Sequence, residues 1–170
     1  MILRIGLLLL ALILDPGLAS SGQVGVGERA PAFTLEDWQG HSLSLASFRG
    51  KVVCVDFWAS WCVTCMQALP ALDAIGRRFR SAGLEILAVN IDEDRSSADH
   101  FLAERLPEPA VILLRDPRAS LLARFGAEGM PTLYLIDREG IVKLVESGYS
   151  PDRLKLVERA IADLLAAPAK

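Results

Sequence analysis

The sequence predicts an α/β domain, and three patterns carry that prediction. The apolar run Val52-Val53-Cys54-Val55 reads as a buried strand, and Leu84 to Ile91 as a second. Between them, Met66, Leu69, Leu72, Ile75 and Phe79 recur at the spacing of one helix face. Buried strands alternating with amphipathic helices assemble as a sheet with helices packed on it. With 170 residues and a formal net charge of −3, the chain is long enough for one domain with a sizeable core. Acidic and basic residues are mixed along it, so no basic face for a nucleic acid is indicated. The 52% hydrophobic content is raised by an apolar leader.

That leader comes first. Residues 1–21 read as a signal peptide or N-terminal anchor. Arg4 supplies the positive end, Ile5 to Leu14 the apolar run and Asp15-Pro16-Gly17 the break, and Gly17-Leu18-Ala19 offers small residues for cleavage. The apolar run is shorter than the ~20 residues that span a bilayer. Export to the periplasm or cell envelope is therefore expected, with membrane contact only through this segment if it is retained. Export would place the cysteines in an oxidising compartment. Residues 22–30 read as a Gly-rich linker, and 31–170 as the folded domain.

Within the domain, Ala30 to Leu35 and Ser42 to Leu45 flank a turn at Gln39-Gly40 and read as a β-hairpin. Phe48-Arg49-Gly50-Lys51 leads into the first buried strand. After the second, Ser96 or Ser97 is expected to cap a helix running to about Leu106, stopped by Pro107 and Pro109. Val111 to Leu114 reads as a third strand and Ala119 to Phe125 as a short helix. Leu133 to Ile136 and Ile141 to Glu146 form a second hairpin across Asp137-Arg138-Glu139-Gly140. Gly148 and Pro151 open a last helix, whose apolar face is expected to be Leu154, Leu156, Val157, Ile161, Leu164 and Leu165.

The chemistry centres on Cys62-Val63-Thr64-Cys65, placed where the first strand turns into the first helix. The first cysteine of such a pair sits at the helix N-terminus, where unpaired N–H groups and the macrodipole favour an anion. A thiolate there has a depressed pKa, and the thiolate is the attacking species. The second cysteine lies one turn on, on the same face, within reach of a disulfide. A structural zinc site would need four ligands. There is no second C-x-x-C, and the two histidines, His41 and His100, are isolated and read as surface residues. Three cysteines are also too few for a disulfide scaffold. Cys54, the third, is expected to pack as a small buried hydrophobe on the same strand face as Asp56.

The run Val55-Asp56-Phe57-Trp58-Ala59 with Trp61, Cys62 and Cys65, and Pro70 five residues later, resembles the thioredoxin superfamily. The N-terminal hairpin, and a strand and helix inserted before Gly129-Met130-Pro131-Thr132, are similar to the TlpA/ResA-like thiol–disulfide oxidoreductases of the bacterial envelope. The resemblance implies a thioredoxin-like fold, with a central mixed sheet flanked by helices. It implies a cis bond before Pro131, which would lie against the disulfide, with Met130 and Pro131 offering backbone groups to an extended substrate. Trp58 and Trp61 would cover the disulfide and shape a groove, and Gly148 matches a groove-lining glycine. Asp56 matches an acid that exchanges a proton with the second cysteine; a carboxylate between Val55 and Phe57 on a buried strand needs some such reason. Many members instead carry a glutamate three residues after the second cysteine, where this chain has Ala68. Two more departures are Thr64 in place of proline, and Ala88 where thioredoxin has a lysine near the acid.

The expected function is exchange of the Cys62–Cys65 dithiol or disulfide with protein partners, reducing their disulfides, with cytochrome c maturation a frequent case in the family. Electrons would come from a membrane thiol carrier. No cofactor beyond the cysteine pair, and no metal, is expected. A peroxiredoxin-like peroxidase is the alternative enzyme, but it needs Thr or Ser three residues before the reactive cysteine, and that spacing holds Ala59 or Cys62. A copper chaperone with Met66 beside the thiols is the alternative binding protein. Such sites on this fold use C-x-x-x-C and a distant histidine, which this chain lacks.

Overall fold

A computed structural model describes residues 23–168; the leader expected over 1–21 lies outside the described residues. Seven strands, β1 (Thr34–Asp37), β2 (Ser42–Ser44), β3 (Val52–Trp58), β4 (Leu84–Asn90), β5 (Ile112–Arg115), β6 (Thr132–Ile136) and β7 (Val142–Ser147), form one mixed sheet. Their order is β2-β1-β5-β4-β3-β6-β7. Strands β3, β4 and β5 are parallel, and the remaining pairs are antiparallel. Four helices complete the fold: α1 (Val63–Phe79), α2 (Ser96–Arg105), α3 (Ser120–Phe125) and α4 (Pro151–Ala166).

β3 is the hub. It lies between β4 and β6, and all seven of its residues are buried. Both faces of a central strand are covered, so its sequence runs apolar without alternation. Its side chains still divide by parity. Val52, Cys54 and Trp58 enter the core packed beneath α1, α2 and α4. Val53, Val55 and Phe57 enter the opposite core, where Phe57, Phe125 and Tyr134 meet edge to face. The inserted β5 connects the N-terminal hairpin to the sheet, because β1 pairs only with β2 and β5.

Four expectations need correction. The segment expected as a linker is docked: Val24 is buried, and the amides of Val24, Gly27 and Ala30 donate to Phe125, Val142 and Gly140 carbonyls. Neither Ser96 nor Ser97 caps α2. The N-cap is Arg95, without a side-chain cap, and Asp94 before it ties down the helix start, accepting from the Ser96 amide at 3.0 Å and the Ser96 hydroxyl at 2.8 Å. Leu156 is exposed, because the apolar stripe of α4 needs only Leu154, Val157, Ile161, Leu164 and Leu165 to cover the sheet. Trp58 is fully buried and lines no groove. It stacks on Trp38 at 6.5 Å and tilts against Phe101 at 5.8 Å, joining the hairpin and α2 to β3.

Candidate active site

The site lies where β3 ends and α1 begins. Cys62 is the N-cap of α1, with extended backbone and its Sγ accepting from the Cys65 amide at 3.2 Å. The sulfur thus occupies the place that an oxygen fills in an ordinary cap, at the positive end of the dipole. Cys62 and Cys65 are joined as a disulfide, with Cα atoms 5.2 Å apart. They differ in access: Cys62 is 9% exposed and Cys65 is fully covered. Only the first can meet another molecule's disulfide in this arrangement. Pro70 lies within α1.

The loop before Cys62 is tied down from β4. Asp92, buried just past the strand end, accepts from the Ser60 amide at 2.9 Å, the Ser60 hydroxyl at 3.1 Å and Asn90 Nδ2 at 2.7 Å. The Ile91 amide donates to Trp58 and the Cys62 amide to Ala59. Sequence reasoning missed this clamp. An Asn-x-Asp at a strand end was its one available signal, and nothing in the spacing pairs it with Ser60.

The peptide bond between Met130 and Pro131 is cis. Its loop is held by Thr132 Oγ1 donating to Gly129 O at 2.7 Å and by the Gly148 amide donating to Pro131 O at 2.7 Å. Gly148 needs its φ of +79° for that approach. Trp61, 66% exposed, and Met130 line an open groove of about 470 Å³ that also holds Cys62, Thr64, Ile91 and Leu122. Gly148 is not part of that groove. With Pro131 it lines a smaller inner cavity against Asp56.

Asp56 is 1% exposed, and its Oδ2 has no hydrogen-bond partner among the described residues. Burial alone pushes its carboxyl up to about 8. Ala88 pairs directly opposite on β4, so no cation stands there to hold the carboxylate. Asp56 shares the inner cavity with Ala68, one turn beyond Cys65 on α1, which places the acid beside the helix turn that carries the second cysteine. Burial, and then the neighbouring Asp56 charge, push the Cys54 thiol well up, so Cys54 stays protonated and packs as an apolar side chain. His41 and His100 are both exposed. Among the described residues no three His, Cys, Asp or Glu side chains gather as a metal site.

A cysteine capping a helix at the edge of a groove, bonded to a fully covered partner beside a cis-proline loop, defines a thiol–disulfide oxidoreductase on a thioredoxin-like fold. The chain belongs to the Redoxin family, whose model matches residues 25–164. It is 39% identical over 127 residues to the thiol-disulfide oxidoreductase ResA of Geobacillus kaustophilus, covering 74% of this chain and 71% of that protein. It is 32% identical over 130 residues to ResA of Bacillus subtilis, covering 76% and 72%. Among solved structures it is similar to a Chlorobium tepidum protein proposed to be the thiol:disulfide interchange protein DsbE, with TM-score 0.79 and 34% identity over 85% of this chain and all of that one. The thioredoxin domain of a Bacteroides vulgatus thiol-disulfide oxidoreductase gives 0.71 and 28%, covering 82% and 99%. The substrates of such enzymes are protein thiols and disulfides.

Proposed function

We propose that the chain is an exported reductant of protein disulfides. The observation that carries this reading is the unequal burial of the two sulfurs, with a buried acid lining a cavity that also touches Ala68, three residues after the covered cysteine. A Cys62 thiolate, favoured by the α1 N-terminus, attacks a substrate disulfide and releases one substrate thiol. Asp56 takes the proton of Cys65, and the Cys65 thiolate then attacks Cys62 Sγ, releasing the second substrate thiol. The substrate gains two electrons and the Cys62–Cys65 pair becomes oxidised. A base whose pKa lies near neutrality suits that transfer. The substrate strand runs along Met130 and Pro131, with Trp61 flanking it.

In this reading the cysteine pair is the whole redox group and no cofactor takes part. A membrane thiol carrier restores the dithiol, the working place is the periplasm or cell envelope, and the substrates include apocytochrome c. The ResA likeness supports the last point. Among the described residues no helix is long and apolar enough to cross a membrane. The reduction potential of the pair, measured beside an insulin-reduction assay, tests the direction. A value near ~−270 mV with rapid insulin reduction is expected, and one near ~−120 mV would make the chain an oxidant instead.

A further inference from the structure

The register of the sheet sets Asp56, Leu133 and Glu146 in one row across β3, β6 and β7. Residues directly opposite one another point to the same face. Glu146 therefore stands on the Asp56 face, two strands away, at roughly 10 Å for ordinary strand spacing. All three line the inner cavity, whose volume is about 30 Å³. That is room for one or two waters, and the unpartnered Asp56 Oδ2 supplies the polar group that draws water into such a space. On the solvent side Glu146 Oε2 pairs with Arg153 Nη1 at 3.1 Å, and the same nitrogen donates to Ser147 O at 2.7 Å. The Arg153 side chain is 52% exposed and that of Glu146 is 18% exposed, so the pair bridges cavity and solvent.

We propose that Glu146, held in place by Arg153, is the positioning residue through which Asp56 exchanges its proton with solvent. The inference rests on Asp56 being the base for Cys65. The mixed disulfide Cys62–S–S–R and Cys65–SH become the Cys62–Cys65 disulfide and a released thiolate R–S⁻. The proton of Cys65 passes to the Asp56 carboxylate, then through cavity water to the Glu146 carboxylate, and out. The groups that face Asp56 leave little other choice. Its own strand offers the Cys54 thiol, and α1 offers Cys65. β4 offers Ala88 and β6 offers Leu133, which cannot carry a proton. Beyond these, the cavity's polar or charged side chains are those of Glu146, Tyr149 and Arg153, and the rest of its lining is apolar. Of these, Glu146 is the one whose carboxylate oxygens can accept a proton from cavity water and pass it outward, because Arg153 holds it at the boundary between cavity and solvent.

The test is the reaction of the reduced protein with an aryl disulfide that yields a coloured thiolate. The first release reports attack by Cys62, and the second reports resolution by Cys65. Wild type, Glu146→Gln, Glu146→Asp and Asp56→Asn are compared across pH, with the Asp56 carbonyl band followed by infrared difference spectroscopy. Glu146→Gln should slow the second release several-fold near neutral pH and leave the first unchanged. It should also lower the midpoint of the Asp56 band, because a negative neighbour is gone, and Glu146→Asp should restore most of the rate. Normal resolution and an unmoved midpoint in Glu146→Gln, with slow resolution in Asp56→Asn, would overturn this proposal alone. Normal resolution in Asp56→Asn would overturn the assignment of the base and this inference with it. If Glu146→Gln does not fold, Arg153→Met carries the test. Loss of the cation should raise the Asp56 midpoint, and an unmoved midpoint there overturns the proposal.

Discussion

At the scale of single residues, Asp56 is the most informative, because its burial sets chemistry against stability. The unfolded carboxyl, near 3.8, loses its proton long before the folded one does at about 8. Between those values the native protein holds one proton more than the unfolded chain. The stability that the protonated carboxyl contributes is complete below the lower value and is lost as pH rises toward the higher one. About three pH units separate 3.8 from neutrality, each worth about 1.4 kcal/mol, which sets the scale. Asp56→Asn keeps the shape and removes the ionisation. It should stabilise the oxidised protein by about 1–4 kcal/mol at neutral pH, with the gain vanishing below pH ~4. Denaturant titrations of both proteins across pH check this, and a gain that does not grow with pH would contradict a buried carboxylate. The burial itself was legible in the sequence, from Val55 and Phe57 on either side. The Glu146–Arg153 pair was not. Glu146 is the penultimate residue of a half-buried edge strand, where a carboxylate needs no explanation until register places it beside a cavity.

At the scale of elements, the active-site turn depends on β4 as much as on α1. The Asp92 carboxylate holds Ser60 and Asn90, and without it the Ser60 amide and Asn90 Nδ2 lose their partners beneath the loop. Asp92→Ala should therefore cost about 2–3 kcal/mol, since hydrogen bonds to a charged group are worth about 1.5–3 and unpaired buried donors add to the loss. Thermal unfolding of the oxidised protein measures it, and an unchanged midpoint would mean that the turn holds its own shape. Strands and helices with strong periodicity, such as β3, β4 and α1, were legible from pattern alone. Cap chemistry was not: Asp94 lies two residues before the first helical residue of α2, and two serines nearer the start carry the conventional signal. Trp58 was misplaced for a related reason. Next to a C-x-x-C an aromatic reads as groove wall, but strand parity turns it inward, onto Trp38 and Phe101.

At the scale of the whole molecule, the sheet brings together residues distant in the chain: Cys62, Met130 and Leu122 at the groove, and Asp56, Glu146 and Arg153 at the cavity behind it. The hairpin and the inserted β5 extend the sheet away from this site, which leaves the groove open. The central claim is an order of attack fixed by burial, with Cys62 meeting the substrate and Cys65 resolving. Trapping of mixed disulfides tests it most directly. Cys65→Ser and Cys62→Ser proteins are each incubated with a disulfide-bonded protein substrate, and covalent adducts are resolved without reductant. Cys65→Ser should accumulate adducts through Cys62 because nothing resolves them, and Cys62→Ser should form few because Cys65 is covered. Equal trapping by the two variants, or trapping by Cys62→Ser alone, would contradict the account.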